Sequence, residues 1–292
     1  MPLTDGSCVA MLPVAGKPVI EYAIESLHKA GIKEAAISID AAFGKLMALV
    51  GDGSRWGMKL SYSVASTDVT SAISLPDHGG PDPAETLTMH GDMLLNLAID
   101  EFLRQARATG QKRVYGLKGD TTVIMWESGA PELAARVDLN AADIAESSCI
   151  ELGATRINTL GSIIEYHQAN MDLISGKLAL LTPHGKARRN GLTLGYGSKI
   201  SGKSLKSGFA HIGNNSNVHE TVQFDNGVVV GDRVIIDRSA RLENSIVLSD
   251  TYIGEMVTAR NAIIQGNTLI RTDSGRVMHL DDELLLAINP AP

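Results

Sequence analysis

The sequence predicts an α/β protein in which a domain of alternating strands and helices is followed by a parallel β-helix. The chain of 292 residues is long enough for two domains. Its first half alternates short apolar runs with amphipathic helical patterns, as α/β domains do. Its last third carries a hexapeptide repeat, which is typical of a parallel β-helix.

The hexapeptide repeat begins at Ile212 and ends at Leu248. Neither the helical period of 3.6 nor the strand period of 2 produces its spacing. Three hexads close one triangular coil, whose strand starts point inward, and a second inward row follows four positions later. The predicted inward residues are Ile212, Val218, Phe224, Val230, Ile236, Leu242 and Leu248, and the second row is Val222, Val228, Val234, Ala240 and Ile246.

Glycine and asparagine are expected at the bends of this coil. Gly213 and Gly231 directly follow inward residues, where the chain must turn. Asparagine tolerates the left-handed backbone conformation that a tight corner requires. A corner role is therefore predicted for Asn214, Asn215, Asn217, Asn226 and Asn244.

The first half of the chain predicts strands that alternate with helices. This order favours parallel strands joined by crossover helices, with ligands beyond the carboxyl ends of the strands. Residues 51–55 predict a turn, and residues 74–85 predict a mobile loop. The predicted strands cover residues 35–39, 58–64 and 86–90, with two more between 114 and 126, and the predicted helices cover 18–30, 43–50, 97–108 and 159–175.

Composition narrows the class of protein. The net charge is −7, and the densest basic cluster is Lys186, Arg188 and Arg189, which favours a solvated loop over a nucleic-acid patch. The two cysteines are too few for a disulfide framework or a metal cluster. No apolar run reaches the length of a membrane span, and no signal-peptide pattern is visible. We therefore expect a cytoplasmic protein without membrane insertion or nucleic-acid binding.

Three motifs resemble the sugar-1-phosphate nucleotidylyltransferases, which include mannose-1-phosphate guanylyltransferases and glucose-1-phosphate thymidylyl- and uridylyltransferases. They are LPVAGKPVIEY at residues 12–22, GDGSRWGMKLSYSV at 51–64 and HGD at 90–92. A left-handed β-helix tail is common in that family. The resemblance implies a Rossmann-like nucleotidyltransferase domain of the GT-A type at residues 1–185, a left-handed β-helix at 193–270 and a carboxyl-terminal tail at 271–292.

The resemblance also implies a chemistry. A sugar phosphate attacks the α-phosphorus of a nucleoside triphosphate and pyrophosphate leaves, so the protein mainly positions groups and neutralises charge. Asp92 matches the first metal aspartate of the family, which makes Mg²⁺ the expected cofactor. The same residue could instead be a polar turn after a strand, and Lys17 could simply flank a helix. The residues expected to contact the nucleotide or sugar are Lys17, Thr70, Ser71 and Gly91.

Several family positions are changed in this chain. The glycine-rich loop and the strand before it should precede residues 2–4, so we expect both to be missing. Val9 stands where the family has a lysine, Asn158 where it has a second aspartate, and no Glu-Lys-Pro segment is found. Because each lost phosphate-stabilising group typically lowers the rate by about 10²–10³, the pattern predicts impaired catalysis.

Three functions therefore remain open. The first is nucleotidyl transfer to a hexose 1-phosphate, in polysaccharide or cell-envelope sugar metabolism. The second is a non-catalytic paralogue that binds a sugar nucleotide and regulates or scaffolds an active partner. The third is acyl transfer on the β-helix, with His211 or His219 as general base. Open strand edges also predict a homo-oligomer.

Overall fold

In the computed structural model, the described residues are 3, 8–39, 43–64, 72–74, 85–128, 148–153, 155–282 and 284–288. They form two compact units. We call them the sheet unit, which comprises Pro2–Leu12 and Pro18–Thr159, and the coil unit, which comprises Pro13–Lys17 and Leu160–Pro292. The domain boundaries predicted from the sequence, at residues 185, 193 and 271, stay a prediction.

A short hairpin lies at the first junction of these units. Its strands are β1 (Pro13–Val14) and β2 (Lys17–Pro18). Ala15 and Gly16 form the turn with φ angles of 40° and 82°. Positive φ at both turn residues suits the twist of a two-residue hairpin and explains the glycine.

The helices of the sheet unit follow the predicted ones closely. Pro18, the first residue of the predicted helix, instead directly precedes α1, whereas Gly31, with a φ of 84°, lies just beyond its end. Ile24 and Phe102 from these helices pack with Ile37 of the sheet in one core. Among the described residues, no helix is both long and apolar enough to cross a membrane. The helices are α1 (Val19–Lys29), α2 (Phe43–Val50) and α3 (Ile99–Ala108).

Five of the nine described strands of the sheet unit match the predicted positions, the other four (β5, β7, β10 and β11) were not predicted, and the pairing is mixed. They are β3 (Glu34–Ile39), β4 (Lys59–Val64), β5 (Ala72–Ser74), β6 (Glu85–His90), β7 (Leu94–Leu95), β8 (Arg113–Lys118), β9 (Thr121–Ser128), β10 (Cys149–Glu151) and β11 (Ile157–Asn158). Seven of them form one sheet in the order β10-β8-β9-β6-β5-β3-β4.

Parallel pairing was expected throughout this sheet, and that expectation is only partly correct. The pairs β3–β4 and β10–β8 are parallel, whereas β6 is antiparallel to both of its neighbours. Strands β8 and β9 are joined by a tight turn, which permits only antiparallel pairing. Alternation of strands and helices along the sequence did not reveal this hairpin.

The coil unit is a β-solenoid of about four turns, consistent with the predicted left-handed β-helix. Successive coils pair in parallel, for example Ala210 with Val228 and Asn217 with Ile235. One helix, α4 (Ile163–Ile174), precedes the coils. The strands are β12 (Lys186–Ala187), β13 (Leu192–Leu194), β14 (Ala210–Ile212), β15 (Asn217–Val218), β16 (Gln223–Val230), β17 (Ile235–Ile236), β18 (Arg241–Val247), β19 (Thr251–Ile253), β20 (Thr258–Arg260), β21 (Ala262–Gln265), β22 (Thr268–Arg271), β23 (Val277–His279) and β24 (Leu286–Ile288).

The predicted inward row is confirmed as far as Leu242, and every member is at most 4% exposed. Its last member is wrong, because Val247 pairs with Val230 and is buried while Leu248 is half-buried. The register shifts between Asp225 and Val228. The corner at residues 226–227 holds one residue more than the corner at Asn244. Each later inward residue therefore comes one position earlier in the chain than the repeat predicts.

The same shift changes the second inward row. Ser245, rather than the predicted Ile246, pairs with Val228. Ile246 pairs with Val229 and faces outward, yet it is 1% exposed. Helix α4 packs on strands β16 and β18 and covers this outer row. The helix fits closely because a Cβ at Gly227 would lie 2.8 Å from the Met171 sulfur.

The corners use left-handed residues, as predicted for three of the asparagines. Asn215, Asn226 and Asn244 have φ angles of 53°, 56° and 46°. Asn214 instead accepts a hydrogen bond from the Tyr196 backbone N–H, and Asn217 lies in strand β15. Only the residue at the sharpest bend of each corner therefore needs positive φ.

Antiparallel strands of the same chain flank both ends of the solenoid. Strand β12 pairs with β13, β23 pairs with β22, and the tail strand β24 pairs with β19. Self-association through open edges stays a prediction.

Candidate functional site

The candidate metal ligand Asp92 lies just beyond the carboxyl end of β6, as predicted. Its side chain is 22% exposed. Oδ1 is buried, accepts no hydrogen bond from the described residues and lies 3.5 Å from Nδ1 of His90. An imidazole at that distance balances the carboxylate only when it is protonated. The site therefore holds a carboxylate oxygen that a cation could take up.

Asn158, the residue at the predicted second metal position, is brought to the same place by strand pairing. Strand β11 is antiparallel to β7, and Asn158 pairs with Leu94. Leu94 is two residues beyond Asp92. The Asn96 N–H donates to the Arg156 carbonyl at 3.0 Å and extends this pairing. The Asp92 backbone and the Asn158 strand are thus neighbours, although they are far apart in the sequence.

This arrangement fits Mg²⁺ only as a partial ligand set. Within the described residues, no group of three or more His, Cys, Asp or Glu side chains could hold a metal ion. Mg²⁺ is commonly held by one or two carboxylates, with waters and substrate phosphates completing its shell. Asp92 supplies one carboxylate of that kind, and Asn158 supplies a neutral amide nearby.

Two of the four predicted nucleotide-binding residues lie among the described residues. Gly91 is buried between β6 and Asp92. Thr70 and Ser71 lie outside the described residues. The strand that follows them, β5, pairs with β6 so that Ala72 is opposite His90. The backbone after Ser71 therefore reaches the same end of β6 as Asp92.

Lys17 lies in the short hairpin and is 7% exposed. A buried ammonium is a fixed charge, because few rotamers are open to it and water screens it weakly. The hairpin belongs to the coil unit, whereas Asp92 belongs to the sheet unit.

The loop at residues 51–57 is a structural turn, as predicted. Asp52 Oδ1 accepts a hydrogen bond from the Ser54 N–H at 3.0 Å, and this bond lowers the pKa of Asp52. Arg55 forms an ion pair of 2.8 Å with Glu21 and stacks on Trp56. These contacts explain the loop without a ligand.

The two coil histidines proposed as general bases differ in access. His211 is 0% exposed, and burial lowers its pKa to about 4. His219 is exposed, and its Nδ1 lies 2.9 Å from the Thr221 hydroxyl. Acyl transfer was one of the alternatives left open for these two residues, of which only His219 is exposed.

Sequence reasoning did not assign roles to three residues that the structure makes prominent. His90 lies beside Asp92, and its place in the HGD motif was the available signal. Tyr166 and Asn170 are both 0% exposed and contact the hairpin that carries Lys17. A polar Asn on the apolar face of a predicted helix was the signal there, because buried amides need partners.

Comparison with known proteins agrees with this geometry. Residues 1–123 match the family described as nucleotidyl transferase. A glucose-1-phosphate thymidylyltransferase of Streptomyces griseus is 43% identical over 110 residues, which are 37% of this chain and 30% of that protein. A protein of the same name from Actinoplanes sp. is 29% identical over 123 residues, covering 40% of this chain and 39% of the relative.

A third relative is the low-salt glycan biosynthesis nucleotidyltransferase Agl11 of Haloferax volcanii. It is 39% identical over 64 residues, which are 22% of this chain and 18% of the relative. The chain therefore spans less than half the length of each of these curated relatives.

Several observations point to similarity with the same family. The order of the three motifs, the aspartate at the end of β6 and the solenoid that follows agree with one another. The matches to residues 1–123 agree with them. Over residues 1–123 this chain is similar to the nucleotidyl transferase family, and its curated relatives include glucose-1-phosphate thymidylyltransferases.

Proposed function

We propose that this protein binds a nucleoside triphosphate and a hexose 1-phosphate and acts in the synthesis of nucleotide-activated sugars. The observation that carries the proposal is the buried carboxylate oxygen of Asp92 at the strand end, inside the family match, which accepts no hydrogen bond from the described residues. Two of the relatives described above are named glucose-1-phosphate thymidylyltransferase, so dTTP and glucose 1-phosphate are the substrates we favour.

The chemistry needs little from the protein besides position and charge. A phosphate oxygen of the sugar phosphate bonds to the α-phosphorus of dTTP, and the bond to the bridging oxygen breaks as pyrophosphate leaves. Bound Mg²⁺ would neutralise phosphate charge. In this proposal Asp92 holds the cation, Gly91 lets the phosphates approach the backbone, and Lys17 adds positive charge. Thr70 and Ser71 contact the base or sugar.

A second candidate function is supported by Asn158. It is a neutral amide where the resemblance implies a second carboxylate, and its strand lies beside that of Asp92. Losing one charge-stabilising group typically costs roughly 10²–10³ in rate. Such a loss favours a protein that binds a sugar nucleotide and regulates or scaffolds an active paralogue, or its own copies, without turning over.

One pair of measurements separates these functions. Millimolar dTTP with Mg²⁺ should raise the melting temperature, and Asp92→Asn should reduce that rise. Pyrophosphate release is then measured with glucose 1-phosphate. A thermal shift together with release supports the enzyme, and a shift without release supports the binding protein. No shift with any nucleoside triphosphate or nucleotide sugar would reject both.

A further inference from the structure

The hairpin segment Pro13–Lys17 is built into the coil unit, although the residues on both sides of it belong to the sheet unit. The chain leaves the sheet unit after Leu12 and returns to it at Pro18. This segment forms the centre of the family motif at residues 12–22. The partners of the hairpin in the coil unit therefore bear on how that motif works.

Helix α4 makes two hydrogen bonds to this hairpin. The Tyr166 hydroxyl donates to the Pro13 carbonyl at 2.5 Å, and burial raises the pKa of Tyr166, so it remains a donor. Asn170 Oδ1 accepts from the Ala15 N–H at 2.9 Å. Asn170 Nδ2 donates to the Tyr166 carbonyl at 2.9 Å, which fixes the orientation of the amide. Both side chains are 0% exposed.

The solenoid supplies the second half of the contact. The His184 N–H donates to the Ala15 carbonyl at 3.1 Å. The His184 carbonyl lies 2.9 Å from Nε2 of His211, and because a carbonyl only accepts, Nε2 carries the proton. A Cβ at Gly16 would lie 2.7 Å from the His211 ring. The N–H and the carbonyl of Ala15 are thus both hydrogen-bonded, and the His211 ring packs against Gly16 without room for a side chain there.

We propose that Asn170, supported by Tyr166 and His211, is a positioning residue that holds Lys17 in place for nucleotide binding. The inference rests on the proposed function, because it assigns Lys17 to the nucleotide.

Because these contacts are buried, they can fix the position of the hairpin. Asn170 has no water to replace its partners, so losing the amide leaves the Ala15 N–H unsatisfied. The hairpin spans five residues, and Lys17 follows Ala15 by two. A change in the Ala15 peptide therefore moves the Lys17 backbone directly.

A double-mutant cycle tests the proposal with the full chain. The variants are Asn170→Ala, Lys17→Gln and their combination, and the readout is the affinity for dTTP with Mg²⁺. We expect Asn170→Ala to weaken binding about tenfold in the native background and by less than about twofold in the Lys17→Gln background, because coupled residues are not additive. His219→Ala, an exposed change on the solenoid, is the control and should leave the affinity unchanged.

Hydrogen exchange of the peptide that covers residues 13–17 provides a readout independent of affinity. Asn170→Ala should speed its exchange, and dTTP should slow it in the native protein, because coupling between two sites is reciprocal. Tyr166→Phe removes one hydrogen bond and keeps the proposal testable if Asn170→Ala does not fold; its affinity loss should be smaller and also depend on Lys17.

The outcomes separate the two proposals. Equal affinity losses from Asn170→Ala in both backgrounds, or faster exchange without any loss of affinity, would overturn the positioning role and leave the proposed function standing. Absence of binding of any nucleoside triphosphate by the native protein would overturn the proposed enzyme, and this inference with it.

Discussion

The solenoid and the mixed sheet differ in how their neighbours are chosen. In the solenoid a strand pairs with the strand one coil further along, as Ala210 does with Val228. In the sheet unit β6 lies between β5 and β9, which come from separate parts of the chain. In a repeated sequence the repeat length predicts which strands pair. The strand order of the mixed sheet depends instead on which distant strands bury each other best.

The solenoid itself departs from its repeat at one corner. The extra residue in the Asn226–Gly227 corner breaks the repeat where α4 packs on it. A Gly at that corner leaves space for Met171. The repeat is thus adjusted where the solenoid meets an element that does not repeat.

The largest expected effect tests whether the two units are independently stable. Phe224→Ala and Phe102→Ala each remove a ring that is at most 2% exposed, one from the solenoid core and one from the sheet core. Each should lower the free energy of unfolding by about 3–5 kcal/mol. Urea denaturation measures the loss, and hydrogen exchange shows where it occurs. Equal exchange increases across both units in both variants would contradict independent stability.

The next effect concerns pH and is confined to the coil unit. Burial lowers the pKa of His211 to about 4, whereas an unfolded histidine titrates near 6.5. Between these values only the unfolded chain binds the proton, so stability is complete above 6.5 and decreases by about 3 kcal/mol as the pH falls to about 4.

This part of the pH dependence should vanish in His211→Gln, measured by urea denaturation at several pH values. The neighbouring titratable groups, His184 and Asp232, are unchanged in that variant. His219→Gln, at an exposed position, should keep the native dependence. If His211→Gln keeps it as well, the buried imidazole is not its source.

A smaller effect tests the glycines at the solenoid bends. A Cβ at Gly213 would lie 2.4 Å from Asp232 Oδ1 and 2.5 Å from the Gly231 carbonyl carbon. Gly213→Ala should therefore lower the melting temperature, with a loss of about 2 kcal/mol. Gly202→Ala is the matched control, because nothing lies within 4 Å of its added Cβ. Equal losses in the two variants would show that the column of stacked bends is not what requires glycine.

The smallest effect is functional and lies in the sheet unit. Asn158→Asp adds a carboxylate beside the strand of Asp92 and should strengthen Mg²⁺-dependent dTTP binding about tenfold, or about 1.4 kcal/mol. Isothermal titration measures the change. Gln111→Glu adds the same charge at an exposed position and should have little effect. An equal gain in both variants would show that the added net charge, and not its position beside the strand of Asp92, strengthens binding.

Much of the fold could be predicted, and the failures share one cause. The inward row of the solenoid depends on local periodicity, and the end of α1 at Gly31 depends on local backbone conformation. Both could therefore be predicted from the sequence. The place of Ile246, the partners of β6 and the contacts of the Pro13–Lys17 hairpin depend on residues far away in the chain. For the candidate site, Asp92 was predicted from a resemblance, while the neighbourhood of Asn158 came from the pairing of β7 and β11.

The sequence by itself determined that the carboxyl-terminal part winds into a solenoid, because a strict six-residue repeat leaves the backbone one way to bury its apolar row. Its motifs also showed the similarity of the amino-terminal part to the nucleotidyl transferases. Only the tertiary structure decided that Lys17 is carried by a hairpin inside the coil unit and that α4 covers the outer row of the solenoid. Those contacts join segments without any shared pattern, and they form because buried amides and apolar faces must find partners in space.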